Sequence, residues 1–235
     1  MLSILALGLL IGMQHALEAD HVAAVSAIAA RQTSPRKIIS HGAVWGVGHT
    51  LTLMSVAGVT LYLGLTISAN LSAWMETLVG VMLVLLGGHL IVRLIRERIH
   101  FHFHRHPNTS VHIHAHSHAG QKGPHEKLTH DHEHAKKLPW RTLLVGMVHG
   151  MAGSAALLVL TAQTVSSPIV GLGYVILFGI GSILGMVALS AIIAIPLSYS
   201  SKMLTWANRG IQGSVGIWTM ILGAYIIYHS APVFA

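Results

Sequence analysis

Leu9-Leu10-Ile11-Gly12-Met13-Gln14-His15 returns 134 residues later as Leu143-Leu144-Val145-Gly146-Met147-Val148-His149. Two further pairs stand at nearly the same spacing. Trp45-Gly46-Val47-Gly48 aligns with Phe178-Gly179-Ile180-Gly181 at 133, and Val79-Gly80-Val81 with Val215-Gly216-Ile217 at 136. Three near-equal offsets mark an internal repeat. Every copy lies within an apolar run, in a chain of 235 residues that is 53% hydrophobic and 9% charged. An average soluble chain is about 25% charged, so a soluble domain is a poor reading. A hydrocarbon core about 30 Å thick takes roughly 20 helical residues to cross. Six runs are long enough, over residues 2–29, 38–66, 73–95, 140–163, 168–198 and 209–230.

Each half therefore carries three spans. With an odd number per half, the second half enters the membrane from the opposite face. The expected fold is an all-α membrane protein, a 3+3 inverted-topology repeat. Its parts are a first repeat over 1–98, a His-rich loop over 99–138 and a second repeat over 139–235. Folds of this kind place a substrate site near the midplane, so the repeat alone favours transport. The first run is not a signal peptide in this reading, because His15, Glu18, Asp20 and His21 interrupt it and no basic residue precedes it.

The 14 Lys and Arg residues lie in or beside the first, third and fifth connections, while those around 68–72 and 166–168 carry none. Cytoplasmic loops retain positive charge. Both termini are thus expected outside and the long third loop in the cytoplasm, in a cytoplasmic membrane of prokaryotic type. Trp74, Trp140 and Trp206 fall near span ends, where indole rings favour the interface. The net charge of +7 is thereby explained as topology, and no nucleic-acid partner is expected. There is no Cys, which removes thiolate metal sites and dithiol electron carriers.

Ionisable groups at membrane depth are costly enough that function is the default explanation. His15, Glu18 and His21 fall within an arc of about 120° on a regular helix, but Asp20 points about 140° away from His15. They converge only where the helix kinks or unwinds. His49 and His149 lie at similar depth in the second and fourth runs. Imidazole nitrogen with carboxylate oxygen suits a first-row divalent metal, so the candidate ligands are His15, Glu18, Asp20, His21, His49 and His149. Thr50, Thr52 and Ser154 either orient ligands or satisfy local backbone, the second being the ordinary use. No prosthetic group is expected; a metal ion would be cargo.

Residues 100–134 hold 12 of the 19 His, among them His102, His104, His112, His114, His116, His118, His130, His132 and His134. This composition cannot build a packed core and is expected to be disordered without metal. It reads as a peripheral metal buffer, sensor or delivery segment, or as a solvated linker that senses pH.

His15-Ala16-Leu17-Glu18-Ala19-Asp20-His21 matches the H-x4-D-H signature of the nickel/cobalt transporter family. The segments Trp45–Thr52 and Gly146–Ser154 resemble the shorter urease-accessory-type nickel permeases. The resemblance implies a membrane permease for Ni²⁺ or Co²⁺ in which His15, Asp20 and His21 handle the metal. The expected partners of the chain are the divalent ion, the lipid bilayer and a cytoplasmic metal acceptor. Longer family members have eight spans against six here. Members with His-rich loops include exporters, while an inside-negative potential favours uptake by about 4.6 kcal/mol per 100 mV for a divalent ion. An intramembrane zinc hydrolase and a non-transporting metal sensor are the alternatives, although no H-E-x-x-H occurs.

Overall fold

The first apolar run is broken where its polar residues lie. In the computed structural model, which describes residues 2–32, 34–96, 99–104, 112–117, 139–151, 168–203 and 205–231, α1 (Leu2–His15) stops at the histidine and α2 (Ala19–Ala29) starts four residues later. Through the break, Leu17 and Glu18 donate backbone N–H to the carbonyls of Gln14 and His15, three residues back. The turn tightens and the helix then stops. Glu18 has extended backbone (φ −62°, ψ 149°) and its carbonyl accepts from Val22 to restart the helix. Asp20 sits in the first turn of α2, where helical amides favour negative charge.

The next elements are α3 (Pro35–Leu63) and α4 (Ala69–Arg96). Pro35 opens α3 at a position whose N–H has no helical partner, and Gly64 ends it with a left-handed φ of 62°. The second half comprises α5 (Trp140–His149), α6 (Pro168–Met203) and α7 (Thr205–Ser230). Among the described residues four helices are long and apolar enough to cross a membrane, at Pro35–Leu63, Ala69–Arg96, Ile169–Leu197 and Asn208–Ser230. The helix expected over 140–163 stops at His149, and residues 152–163 lie outside the described residues. Trp74 and Trp140 are exposed near helix starts, as interfacial indoles should be; the side chain of Trp206 lies outside those described.

The helices pair across the halves. α1 and α3 pack on α6, α3 on α5, and α4 on α7. Close contacts come in exchanged pairs. Gly12 lies on the carbonyl of Phe178, and Gly146, its repeat counterpart, lies on the carbonyl of Trp45, the counterpart of Phe178. Likewise Gly48 meets Leu143, and Gly181 meets Leu9. In the α4–α7 layer Gly80 faces Gly223 and Gly87 faces Gly216. Small residues let helix backbones approach closely where lipid supplies no hydrophobic drive. A core of Ala23, Ala24, Val25, Trp45, Val79, Leu83 and Met186 ties α2, α3, α4 and α6 around the break.

The Gly146 approach can be tested by stability. A methyl group there would overlap the Trp45 carbonyl and force α3 and α5 apart. Gly146→Ala is expected to cost about 1–3 kcal/mol, the usual range for overpacking. The solubilised variant should unfold at a lower temperature. Gly58→Ala, where nothing lies within 4 Å of the added carbon, should not.

Two strands occur within the His-rich segment, β1 (Ile99–His104) and β2 (His112–Ser117). They pair antiparallel in the register His100 with His116, His102 with His114 and His104 with His112. The segment was expected to be disordered because it cannot pack a core. Its strict alternation, however, is the period-2 pattern of a strand, and two such runs can satisfy each other's backbone without a core. His118, His130, His132 and His134 lie outside the described residues.

Candidate metal site

The α1–α2 break determines which side chains meet. It puts His15 at the last residue of α1 and Asp20 and His21 in the first turn of α2, both facing inward despite their separation on a continuous helix. His49 enters from the middle of α3, and His149 is the last residue of α5, as His15 is of α1. All four imidazoles are buried. Ring centroids lie 4.3 Å apart for His15–His21 and His21–His149, 5.1 Å for His21–His49, 5.3 Å for His15–His49 and 5.9 Å for His49–His149.

Among the described residues two groups have metal-ligand spacing. His15, His21 and His49 form one, and Asp20, His21 and His149 the other, each with donor atoms within 4.8 Å of one another. His21 belongs to both. The sequence candidates therefore come together from α1, α2, α3 and α5.

The carboxylates set the imidazole tautomers. Asp20 Oδ1 accepts from the backbone N–H of His21 at 2.8 Å and lies 2.9 Å from His21 Nδ1, while Oδ2 lies 3.1 Å from His149 Nε2. His149 Nε2 also lies 3.2 Å from His21 Nδ1, so these two nitrogens either share a proton or both turn their N–H to Asp20; in the second arrangement the lone pairs stay on His21 Nε2 and His149 Nδ1. Glu18 Oε1 lies 2.8 Å from His15 Nδ1, which leaves the lone pair of His15 on Nε2. Those freed nitrogens, His15 Nε2, His21 Nε2 and His149 Nδ1, are all buried without a hydrogen-bond partner, as are both nitrogens of His49. Each buried unsatisfied polar atom costs about 1–3 kcal/mol. A carboxylate behind an imidazole that presents its other nitrogen is the usual support of a metal-binding histidine, and a divalent cation among His15, His21 and His49 would satisfy lone pairs there.

Glu18 is the outlying member, with 54% of its side chain exposed against 20% for Asp20. Thr50 donates to the Gly179 carbonyl at 3.2 Å and Thr52 to that of Gly48, so both hydroxyls satisfy backbone. Ser154 lies outside the described residues. Sequence reasoning missed the aromatic wall. Trp45 is fully buried 5.1 Å from His149 and 5.3 Å from His21, and Phe178 is 5.3 Å from His15. Trp45 and Phe178 are repeat counterparts, and each rests on the histidine that ends the other half's first helix. Their alignment in the sequence was the available signal.

The chain is 34% identical to urease accessory protein UreH of Bacillus sp. (strain TB-90), in an alignment of 243 positions covering 97% of this chain and 92% of that protein. No protein-family model and no solved structure matches it.

Proposed function

The chain belongs to the nickel/cobalt transporter family, and on that premise we propose that it is a permease carrying Ni²⁺, or Co²⁺, across the cytoplasmic membrane. The observation that carries the reading is the buried His21, shared by the two donor groups where the helix breaks. In the proposed site His15, His21 and His49 offer imidazole nitrogen to the ion, and His149 brings in the second repeat. Asp20 orients His21 and His149 and supplies negative charge, and Glu18 orients His15. The break itself supports transport, since non-helical backbone at membrane depth is tolerated where it lines a cavity.

The six spans are proposed to form a 3+3 inverted repeat, with both termini outside. Supporting this are the exchanged glycine contacts and the matching ends of α1 and α5 at His15 and His149. Rocking of one repeat against the other would open the site to each side in turn. Uptake is the proposed direction, because an inside-negative potential contributes about 4.6 kcal/mol per 100 mV to inward movement of a divalent ion.

Oriented proteoliposomes under imposed voltage and pH gradients test this. Ni²⁺ should accumulate against an unloaded control and be competed by Co²⁺. Binding without flux, or metal-dependent hydrolysis without flux, would overturn the reading. Ligation requires neutral imidazole, so protons compete with the ion. Acidification is therefore expected to weaken binding, and a return to neutral pH should restore it. Affinity that rises on acidification would contradict a histidine site.

The His-rich segment is proposed as a cytoplasmic metal buffer that hands ions to or from an acceptor. Deleting residues 100–134 with a short linker retained should change apparent affinity or metal tolerance about tenfold or less while flux persists. Complete loss of flux in a correctly inserted variant would refute a peripheral role.

A further inference from the structure

A cavity of about 310 Å³ opens at the basic end of the helices, lined by Arg31, Gln32, His41, Trp140, Arg141 and Thr142 over an apolar floor. We propose that it is an oxyanion-binding site, built for a small molecule that carries several carboxylate or phosphate groups. This goes beyond metal transport and stands whether or not ions cross the membrane.

The lining is rich in donors and short of negative charge. Arg31 and Arg141 bring two guanidinium forks, the geometry that suits carboxylate and phosphate. No carboxylate lines the cavity among the described residues. Partial burial weakens Arg31's hold on its proton, and the charges of Arg93 and Arg141 weaken it further, so positive charge converges on this mouth. An anion there would relieve the repulsion.

His41 Nδ1 and Thr142 Oγ1 lie 2.6 Å apart. If the hydroxyl donates, His41 keeps an Nε2–H; if the ring donates, the hydroxyl keeps its proton. Either way the pair retains one donor. The start of α5 adds a third element. Pro139 precedes it without a side-chain cap, and its carbonyl accepts from Thr142 and Leu143, so the amides of Trp140 and Arg141 have no acceptor among the described residues. Free amides at a helix start favour anions.

The repeat shows that the fold does not require this lining. By the same offsets, His41 and Thr142 correspond to Tyr174 and Gly8. There the tyrosine ring packs directly on the glycine and is buried. One end of the pseudo-symmetric pair is plugged, and the other is hollow and polar. The cavity volume is at the lower end of small-molecule sites, roughly 300–1,000 Å³, and fits a compact oligocarboxylate. His41 also borders the tight seam that runs past Gly42 to Trp45, the side chain against the buried imidazoles. A chelating anion in the cavity is thus placed on the cytoplasmic approach to the candidate metal site.

The test uses the full chain, metal-free, in phosphatidylcholine nanodiscs, with citrate, inorganic phosphate and the uncharged trimethyl ester of citrate as probes. Saturable citrate binding is expected, competed by phosphate and absent for the ester. Affinity should fall tenfold or more in Arg31→Gln and Arg141→Gln, with Arg31→Lys and Arg141→Lys between. The thermal unfolding temperature of the same variants, expected to match wild type, reports their folding. A lipid source is tested in nanodiscs with phosphatidylglycerol; retention of that lipid in an Arg31- and Arg141-dependent manner, with citrate excluded, assigns the same site to a headgroup phosphate. If wild type binds neither citrate nor phosphate and retains no anionic lipid through these arginines, or if the ester binds as well as citrate, the proposal is wrong.

Discussion

His21→Ala reduces Ni²⁺ affinity and flux by about 100-fold or more, the scale of the 3–5 kcal/mol lost when one partner is taken from a buried charge set. The reason is its position. His21 is fully buried, lies 4.3 Å from both His15 and His149 and 5.1 Å from His49, and belongs to both donor groups. Truncating His49 should spare the Asp20–His21–His149 group, and truncating His149 should spare the three-histidine group. Truncating His21 breaks both and also removes one of the donors to Asp20. The expected order of damage is therefore His21→Ala above His49→Ala and His149→Ala. It is read as dissociation constants by calorimetry on solubilised protein lacking residues 100–134, whose histidines would otherwise take up the same ion, and as initial flux in proteoliposomes. Equal losses for the three variants would mean that the imidazoles act as one indivisible set, and a mild His21 variant would remove the centre of the proposed site.

Much of this constellation was legible from the chain because membrane depth restricts what polar residues can do. Long apolar helices and histidines buried among them follow from hydropathy and spacing. Helical geometry even located the irregularity, since Asp20 could join His15 and His21 only through a break, and the helix does stop at Ala16-Leu17-Glu18. What the chain alone did not disclose is tertiary. That Trp45 backs His149 while Phe178 backs His15 depends on which helices pair across the halves, and apolar periodicity carries no partner information. The end of α5 at His149 was hidden for a related reason. Gly150-Met151-Ala152-Gly153 reads as continued apolar helix, yet Met151 bonds back only three residues, to Val148, and Gly150 lies against the backbone of His49. His41 escaped notice too, because its role follows from the cavity beside it and from Thr142, 101 residues away. The carboxylates were recognised as site residues, but their division of labour required distances: both touch imidazole nitrogens, which makes them organisers of the rings as well as sources of charge.

Asp20→Asn separates those two contributions. The carboxylate accepts three times, from the His21 amide, from His21 Nδ1 and from His149 Nε2, with one oxygen serving His21 and the other His149. An asparagine keeps the size but has one acceptor. If its oxygen stays with His21, its amide N–H faces His149 Nε2; that ring must then move its proton to Nδ1, which removes the lone pair it held there. If the amide is flipped, His21 is reversed instead and the backbone amide of residue 21 loses its acceptor. Either arrangement spoils one imidazole and removes the negative charge beside the cation. Loss of a supporting carboxylate alone costs about 10–100-fold in metal affinity, so with the charge also gone Asp20→Asn should fall at or beyond the upper end of that range. Glu18→Gln, which touches one ring from a half-exposed position, should fall near or below the lower end. The diagnostic measurement is a double-mutant cycle. If Asp20 works through His149, Asp20→Asn adds little further loss once His149 is alanine; if it chiefly binds the ion itself, the two losses add. Full additivity would transfer Asp20 from orienting His149 to ligating the metal, and an Asp20→Asn variant with wild-type affinity would remove it from the site.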